Sequence, residues 1–521
     1  MSLIKKFATV ASGTLMSRIF GFLREMMMAA ALGTGPIADA FNAAFRFPNT
    51  FRRLFAEGAF NAAFVPLFAK QIEEEGIDSA RKFCEEVFGV LFSILIVLTI
   101  IMEISMPFLV RYVIAPGFSA DASKLQTTIR FAVIMFPYLG CMSLAAMMAG
   151  ILNSLHRYFA AAIAPVFLNI ILIGILLYAW YNNFDARHVG FSLSWGVLAS
   201  GLVQLIIVWL AVRHAGIKIS FKFPRITSNV RRLLWLALPA AITGGITQIN
   251  LLINTNIASG ESGALSSLVY ADRLYQLPLG VVGVAVATVL LPELARALRA
   301  KNMEEAANLQ NRSVEFTLFL TLPAAAAFLV FSEPIVRLLF EHGQFNAQAT
   351  QSVAGILAIY GLGLPAFVLI KAFIPGFFAR EDTRTPMIFA GISVVVNVTL
   401  ALTLFPILYA RGIAIAEITA GWVNAILLLA MLIKRKHWHY DPILMKRIPA
   451  LFFSSLLMAG ALYFATSYFS YHLSATAPFS IRLITVILLV IGAMVVYFSL
   501  AFITGGANIK TLKRVLKRKK T

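Results

Sequence analysis

Long apolar runs recur along this chain, and each is close to the length that crosses a bilayer. One run, FGVLFSILIVLTIIMEISMPFLV, begins at Phe88, and another, FLNIILIGILLYAW, begins at Phe167. A transmembrane helix needs roughly 20 predominantly apolar residues. Charged residues make up only 13% of the chain, whereas soluble domains contain about 25%. These features predict an all-α polytopic membrane protein.

Hydropathy and loop signals predict about fourteen transmembrane helices, and an even number places both termini on one side. Lys and Arg concentrate in loops on that side, for example at 213–232 and 434–447. The opposite loops carry little beyond Lys124, Arg187 and Arg411. The positive-inside rule therefore predicts that both termini are cytoplasmic.

The net charge of +20 follows mostly from this bias. Because the basic residues are dispersed among apolar spans, the chain is not expected to bind nucleic acid. The basic tail from Lys510 is expected to contact anionic lipid headgroups. Cys84 and Cys141 are the two cysteines, which supports neither a disulfide framework nor a metal site.

The chain contains an internal repeat. The segment that begins RFPNTFRRLF at Arg46 resembles the one that begins QLPLGVVGVA at Gln276. The offset is roughly 225 residues, as expected for two six-helix bundles in parallel orientation. The predicted domains are 1–218 and 219–438 for the bundles, and 439–521 for two additional helices with the basic tail. Two related bundles are the usual frame for alternating access.

Arginines interrupt the first two apolar segments. At a helix centre each costs roughly 2.5 to 3.5 kcal/mol, so the group would cost on the order of 10 kcal/mol facing lipid. The nearby acids considered, Asp39 and Glu57, are too few to neutralise them. This surplus predicts a cationic cavity that binds an anion. The arginines are Arg18, Arg24, Arg46, Arg52 and Arg53.

Several strings carry a family resemblance. They are SRIFGFLRE at Ser17, DAFNAAFRFPNTFRRLFAEGAFNAAFVPLF at Asp39, YADRLYQLPLGVVGVAVATVLLPELAR at Tyr270 and PGFFAREDTRTP at Pro375. Along essentially its full length the chain resembles the MurJ/MviN family of lipid II flippases, within the multidrug/oligosaccharidyl-lipid/polysaccharide exporter superfamily. The resemblance implies a bacterial inner-membrane protein that moves the undecaprenyl-diphosphate-linked peptidoglycan precursor to the periplasmic leaflet. Lipid II, membrane lipids and the cell-wall synthesis machinery are the implied partners.

The resemblance also implies site residues. The family's cavity arginines correspond to Arg18, Arg24, Arg52 and Arg273, and its acidic second-helix residue corresponds to Asp39. These roles suit the chemistry, because a guanidinium offers paired donors to a diphosphate and stays protonated when desolvated.

Other polar residues are predicted to support these arginines or to form a gate: Ser17, Asp39, Arg53, Glu57 and Asp272. Several readings stay open. Arg53 and Glu57 have the spacing of an intrahelical ion pair, and Arg273 can be held by Asp272. Arg46 is as readily structural as functional. Asp39 either closes a gate with an arginine or caps the start of its helix.

An intramembrane acid, Glu417, is a candidate for coupling to a monovalent cation, although solvation near the periplasmic side would also explain it. Some family members are thought to have a sodium site that includes a seventh-helix acid. This chain has Asn250 and Asn254 there, without an acid. No cofactor is expected beyond coupling to such a cation or to the membrane potential.

Three alternatives remain. Two are export of another lipid-linked oligosaccharide and export of drugs within the same superfamily, although drug exporters favour acidic cavities. The third is a membrane-bound lipid-linked sugar transferase, which usually needs a carboxylate cluster at a loop–membrane boundary. No phosphate-binding GxxxxGK[ST] loop is present, and no catalytic residues are predicted.

Overall fold

The structure is a computed structural model that describes residues 3–53, 60–439 and 441–506. Within these residues, all regular elements are helical. Glu57 and the basic tail from Lys510 lie outside the described residues. The helices of the first half are α1 (Leu3–Leu32), α2 (Pro36–Arg52), α3 (Phe60–Glu75), α4 (Ile77–Leu109), α5 (Ala122–Met135), α6 (Tyr138–Ser154), α7 (Phe159–Tyr181) and α8 (Ala186–His214).

The remaining helices run from the middle of the chain to residue 503. They are α9 (Ser228–Ala258), α10 (Ala264–Arg299), α11 (Met303–Phe340), α12 (Ala347–Phe378), α13 (Arg384–Leu408), α14 (Ala410–Lys434), α15 (Pro442–Tyr468), α16 (Ser470–Leu473) and α17 (Phe479–Ile503). A π-helical turn at Val110–Ile114 and a 3₁₀ turn at Pro116–Ala120 follow α4.

Side-chain caps define several helix starts. Asp121 accepts hydrogen bonds from the backbone N–H groups of Ser123 and Lys124 at the start of α5. Thr227 accepts from the N–H of Val230 at the start of α9. Short polar side chains are favoured at these positions because the first N–H groups of a helix have no partner within it.

The chain divides into two compact units. The first contains Met1–Ser266 and Gly343–Phe345. Within it, α1 packs on α7, α2 on α5, α6 on α8, and α9 on α3. A core of Phe64, Phe83 and Met147 lies among α3, α4 and α6.

The second unit contains Ser267–His342 and Asn346–Thr521. In it, α12 packs against α11 and α14, while α13 packs against α14. The additional helices α15 and α17 pack on each other and on α11, and Tyr497 donates a hydrogen bond of 2.7 Å to the Phe319 carbonyl. The repeat-based domain boundaries at 1–218, 219–438 and 439–521 stay a prediction. The two compact units are a different division of the chain, in which α9 belongs to the first unit.

The predicted all-helical membrane fold is confirmed, whereas the count of fourteen spans stays a prediction. Ten helical segments of the described residues are long and apolar enough to cross a membrane. Helices α1, α9 and α10 are also long, with 30, 31 and 36 residues. The span predicted near residue 55 is centred on residues 54–59, which lie outside the described residues, with α2 before them and α3 after them. The span predicted near residue 138 is divided between α5 and α6 at Pro137.

Candidate functional site

Arg24 is buried in the apolar interior of the first unit, on α1. Its side chain is hydrogen bonded on two sides. Nη1 donates to Asn169 Oδ1 at 3.0 Å, and Nη2 forms an ion pair with Glu25. The buried Nε has no hydrogen-bond partner among the described residues. The guanidinium is therefore held in place, and Nε is its one nitrogen without a hydrogen bond among the described residues.

Asn169 links two turns of α1 to α7. Its Oδ1 accepts from Arg24, and its Nδ2 donates to the Ser17 carbonyl at 3.1 Å. A Cβ at Gly21 would lie 3.6 Å from this amide, so α7 approaches α1 closely here. The contribution of Ser17 in this arrangement comes from its backbone. The hydrogen bond from Asn169 Nδ2 to the Ser17 carbonyl fixes the orientation of the amide. The amide oxygen therefore points at Arg24 and sets the direction of the Arg24 side chain.

The other first-unit arginines are more accessible than Arg24. Arg18 is exposed, and Arg52 is half-buried with Nε donating to Asn49 Oδ1 at 3.0 Å. Arg46 is half-buried and Arg53 is exposed at the C-terminal end of α2. The predicted pairing of Arg53 with Glu57 stays a prediction, and Glu57 lies outside the described part of the chain.

Arg273 belongs to the second unit, where it and its neighbour Asp272 are half-buried on α10. Gln276, one turn further along, donates a hydrogen bond to the Asp272 carboxylate. The amide thus takes a position beside Asp272 that sequence reasoning did not consider.

Asp39 is completely buried and lies in the first turn of α2. Its Oδ2 accepts from Lys124 Nζ at 2.8 Å and from the Gly263 N–H at 2.7 Å. Its Oδ1 accepts from the Ser266 N–H at 3.0 Å and from the Ser266 hydroxyl. The cationic partner is therefore a lysine of α5, where sequence reasoning considered an arginine.

These donors place Asp39 at the start of a second helix as well. Gly263 and Ser266 flank the first residues of α10, so the carboxylate binds N–H groups at the positive end of that helix dipole. Gly263 has φ +81°, and a Cβ there would lie 2.8 Å from the Thr34 carbonyl oxygen. Glycine is required for this close approach. The Lys124 amine also lies 4.0 Å from the centre of the Phe118 ring, a cation–π contact.

Glu417 is half-buried in the interior of α14. It accepts a hydrogen bond of 3.1 Å from the Tyr360 hydroxyl on α12. The Tyr360 ring packs against Tyr275 of α10, with ring centres 5.4 Å apart. This connects the acid to the helix that carries Arg273, within one unit.

The asparagines of α9 differ in exposure. Asn254 is buried and Asn250 is half-buried. Across the described residues, no three His, Cys, Asp or Glu side chains are grouped to hold a metal ion.

Sequence reasoning missed several partners in these clusters, among them Glu25, Asn169 and Lys124. Glu25 is a third acid close to the arginines, which reduces the positive surplus around Arg24. A lone amide within an apolar run was a usable signal for Asn169, because buried polar groups need partners. No local pattern identifies Lys124 as the partner of Asp39, since the two are 85 positions apart.

Comparison with known proteins gives a consistent result. A family model described as "Lipid II flippase MurJ" matches residues 28–502. The "Probable lipid II flippase MurJ" of Rhizobium meliloti (strain 1021) is 72% identical over 518 residues, covering 99% of this chain and 97% of the relative.

Solved structures extend the comparison. A structure described as "Lipid II flippase MurJ, inward closed conformation" has a TM-score of 0.79 at 26% identity, covering 95% of this chain and 98% of that one. A multidrug resistance MATE family transporter of the MOP superfamily, in an inward-facing conformation, has a TM-score of 0.67 at 16% identity. It covers 82% of this chain and 97% of that one, and at this identity the likeness concerns the fold alone.

Proposed function

We propose that this chain, which belongs to the lipid II flippase MurJ family, moves lipid II between the leaflets of the bacterial inner membrane by alternating access. The match of the family model to residues 28–502 shows the membership. The direction is from the cytoplasmic to the periplasmic leaflet, with both chain termini cytoplasmic. Among the alternatives from sequence, the membership favours lipid II over drugs and other lipid-linked oligosaccharides. The transport involves no covalent chemistry by the chain itself.

The observation that carries the site assignment is the state of Arg24. A buried arginine with two nitrogens fixed and a third unpartnered among the described residues is preorganised for an anionic oxygen. Charge-assisted hydrogen bonds from guanidinium to phosphate are about twice as strong as neutral ones. Arg24 thus binds the diphosphate of lipid II.

Arg18 and Arg52 complete the proposed site in the first unit, and Arg273 of the second unit is proposed separately to contact the substrate. Arg18 is exposed and Arg52 is half-buried, so both can reach a large headgroup. Glu25 neutralises part of the positive charge, which keeps the site from holding the diphosphate too tightly for release.

Asp39 is the proposed lock on the periplasmic side. Its carboxylate joins α2, α5 and the first turn of α10 through four hydrogen bonds. Opening towards the periplasm separates these elements. A buried ion pair with complete hydrogen bonding is suited to such a two-state contact, because its partners are costly to leave unpaired.

The additional helices α15 and α17 are proposed to hold the polyprenyl tail. Their exposed side chains include Phe452, Leu456, Phe464 and Leu488. The tail stays in contact with this apolar surface while the headgroup crosses, because moving it into a charged cavity yields no hydrophobic gain.

Glu417 is the proposed coupling residue for a monovalent cation. The acid sits in the interior of a membrane helix, where ionisable groups are costly and usually functional. Its hydrogen bond to Tyr360 and the contact of Tyr360 with Tyr275 support a connection to α10. Glu417→Gln should uncouple transport from the ion gradient, and full transport by this variant would remove the role.

Replacement of the chromosomal lipid II flippase by this chain tests the function. Cells that depend on the chain should grow and keep their shape without accumulating lipid II. Lysis with accumulated precursor, despite normal membrane insertion, would contradict the proposal.

A further inference from the structure

A cavity of about 250 Å³ lies in the first unit, and neither Arg24 nor Asp39 lines it. Its walls come from α6, from the end of α8 and from the linker that follows α8. The apolar part is formed by Met148, Trp209, Val212, Ile217 and Ile219, and Arg213 and Lys218 supply the charge.

The two cations differ from a nearby lysine of the linker in lacking an ion pair within the described residues. Neither Arg213 nor Lys218 forms an ion pair within the described residues, and both are exposed. Lys222, only four positions beyond Lys218, contrasts with them, because it is paired with Glu85 at 2.5 Å. An apolar wall next to unpaired cations is complementary to an amphipathic anion.

The linker that lines the cavity is fixed to α4. The Ser220 N–H donates to Glu85 Oε1 at 3.2 Å, and the Ser220 hydroxyl donates to the same oxygen at 2.6 Å. Phe221 packs against Phe92 with ring centres 5.7 Å apart. The cavity therefore has a defined wall on the linker side.

We propose that this cavity binds an anionic phospholipid of the cytoplasmic leaflet. Arg213 and Lys218 contact the phosphodiester, and the first part of an acyl chain lies along Trp209 and Ile219. The location rests on the orientation given under the proposed function, in which the end of α8 is cytoplasmic. Basic pockets between transmembrane helices on that side suit such headgroups.

Occupancy of the cavity has a consequence for the linker between α8 and α9. The ligand contacts both α8 and the linker that leads into α9, so it stabilises the linker in its position on α4. Anionic lipid content then adjusts the stability of this linker within the first unit.

Binding is measured by native mass spectrometry of the full chain in detergent, with added phosphatidylglycerol, phosphatidylcholine or inorganic phosphate. Arg213→Gln/Lys218→Gln removes both cations. The matched control is Arg231→Gln/Arg232→Gln, which removes two exposed cations of the first turns of α9 that do not line the cavity. A neutral variant, Ile219→Trp, fills the cavity without changing its charge.

The wild type should retain phosphatidylglycerol in preference to phosphatidylcholine. The cavity double variant should bind it about thirtyfold more weakly, with each cation contributing about fivefold. Ile219→Trp should also weaken binding, while the control should bind like the wild type. Lipid II binding should survive in the cavity variants, because the proposed diphosphate site uses other arginines.

Several outcomes would overturn the proposal. Equal binding of the two phospholipids would show that charge is not recognised, and displacement by inorganic phosphate at equal concentration would identify a free-phosphate site. An equal loss in the control would indicate general surface electrostatics. A chain that binds phosphatidylglycerol as described but does not move lipid II would contradict the proposed function alone.

Discussion

The contact between Asp39 and Lys124 gives the sharpest quantitative test of the proposed lock. Removing one partner of a buried ion pair typically costs about 3 to 5 kcal/mol, because the other charge stays buried without compensation. Lys124→Met leaves Asp39 with three donors from Gly263 and Ser266. Its cost should therefore lie near the lower end, about 3 kcal/mol.

Asp39→Asn should destabilise the folded state more, by about 5 kcal/mol. The amide nitrogen replaces an oxygen that accepts two of the four hydrogen bonds, and the charge of Lys124 stays buried without its partner. The double variant leaves neither charge uncompensated. Its cost should fall at least about 2 kcal/mol below the sum of the single costs.

Denaturant unfolding of the purified protein in mixed micelles measures these free energies. Lys70→Met is the matched control, since Lys70 forms an exposed ion pair with Glu74 at 3.5 Å. Exposed pairs contribute about 0 to 1 kcal/mol. If Lys124→Met costs no more than Lys70→Met, or if the two single costs add, the buried pair does not hold these helices together.

The same variants test access from the periplasm. Thr127 is 2% exposed and lies on α5 close to Lys124. In a background with Cys84→Ala and Cys141→Ala, a Thr127→Cys reporter should react with an impermeant thiol reagent faster when Asp39→Asn is present. Unchanged labelling in a variant that no longer transports would assign Asp39 to binding rather than to gating.

Three further predictions concern other parts of the chain. Alanine at each proposed diphosphate-binding arginine should abolish or sharply reduce complementation at normal membrane abundance, and lysine should restore part of it. These arginines are Arg18, Arg24, Arg52 and Arg273. Wild-type complementation by several of the alanine variants would remove the assignment. Ending the chain after Lys436 should leave membrane insertion and binding of a soluble headgroup analogue intact but stop lipid II movement. Normal flipping by a stably expressed truncation would show that α15 and α17 are dispensable. Hydrogen bonds from Thr385 and the charge of Arg435 lower the pKa of Asp382 to about 2. Asp382 therefore stabilises the folded state above about pH 4 and loses this contribution as the pH falls towards 2. The difference in melting temperature between wild type and Asp382→Asn should shrink over that range, and a constant difference would exclude the charge as its cause.

Much of the fold follows from sequence because a bilayer constrains it strongly. Apolar runs of spanning length form helices, because a helix makes all of its backbone hydrogen bonds within one segment and the unpaired edge of an open sheet is not tolerated in lipid. The break at Pro137 is also local chemistry, because proline lacks the N–H that a continuous helix would use. Placement of α9 with the first unit depends instead on contacts between distant segments, which hydropathy does not encode.

The candidate site was predictable in its arginines but not in their partners. Arginines in apolar segments stand out because burial of their charge is costly. Glu25 follows Arg24 directly, a spacing that does not place two side chains on one helix face, yet the long arginine side chain reaches it. The partners Asn169 and Lys124 come from other helices. Their roles emerge only when α1 packs on α7 and α2 packs on α5.

The leaflet distribution of lipid II in cells that depend on this chain tests the central claim most directly. After depletion of the native flippase, lipid II that is cleavable by an external hydrolase is measured with the wild-type chain and with Arg24→Ala at equal membrane abundance. The wild type should expose newly made lipid II on the periplasmic side, and Arg24→Ala should leave it on the cytoplasmic side. Lipid II that stays inaccessible with the wild type, or equal exposure with Arg24→Ala, would contradict transport through the arginine site.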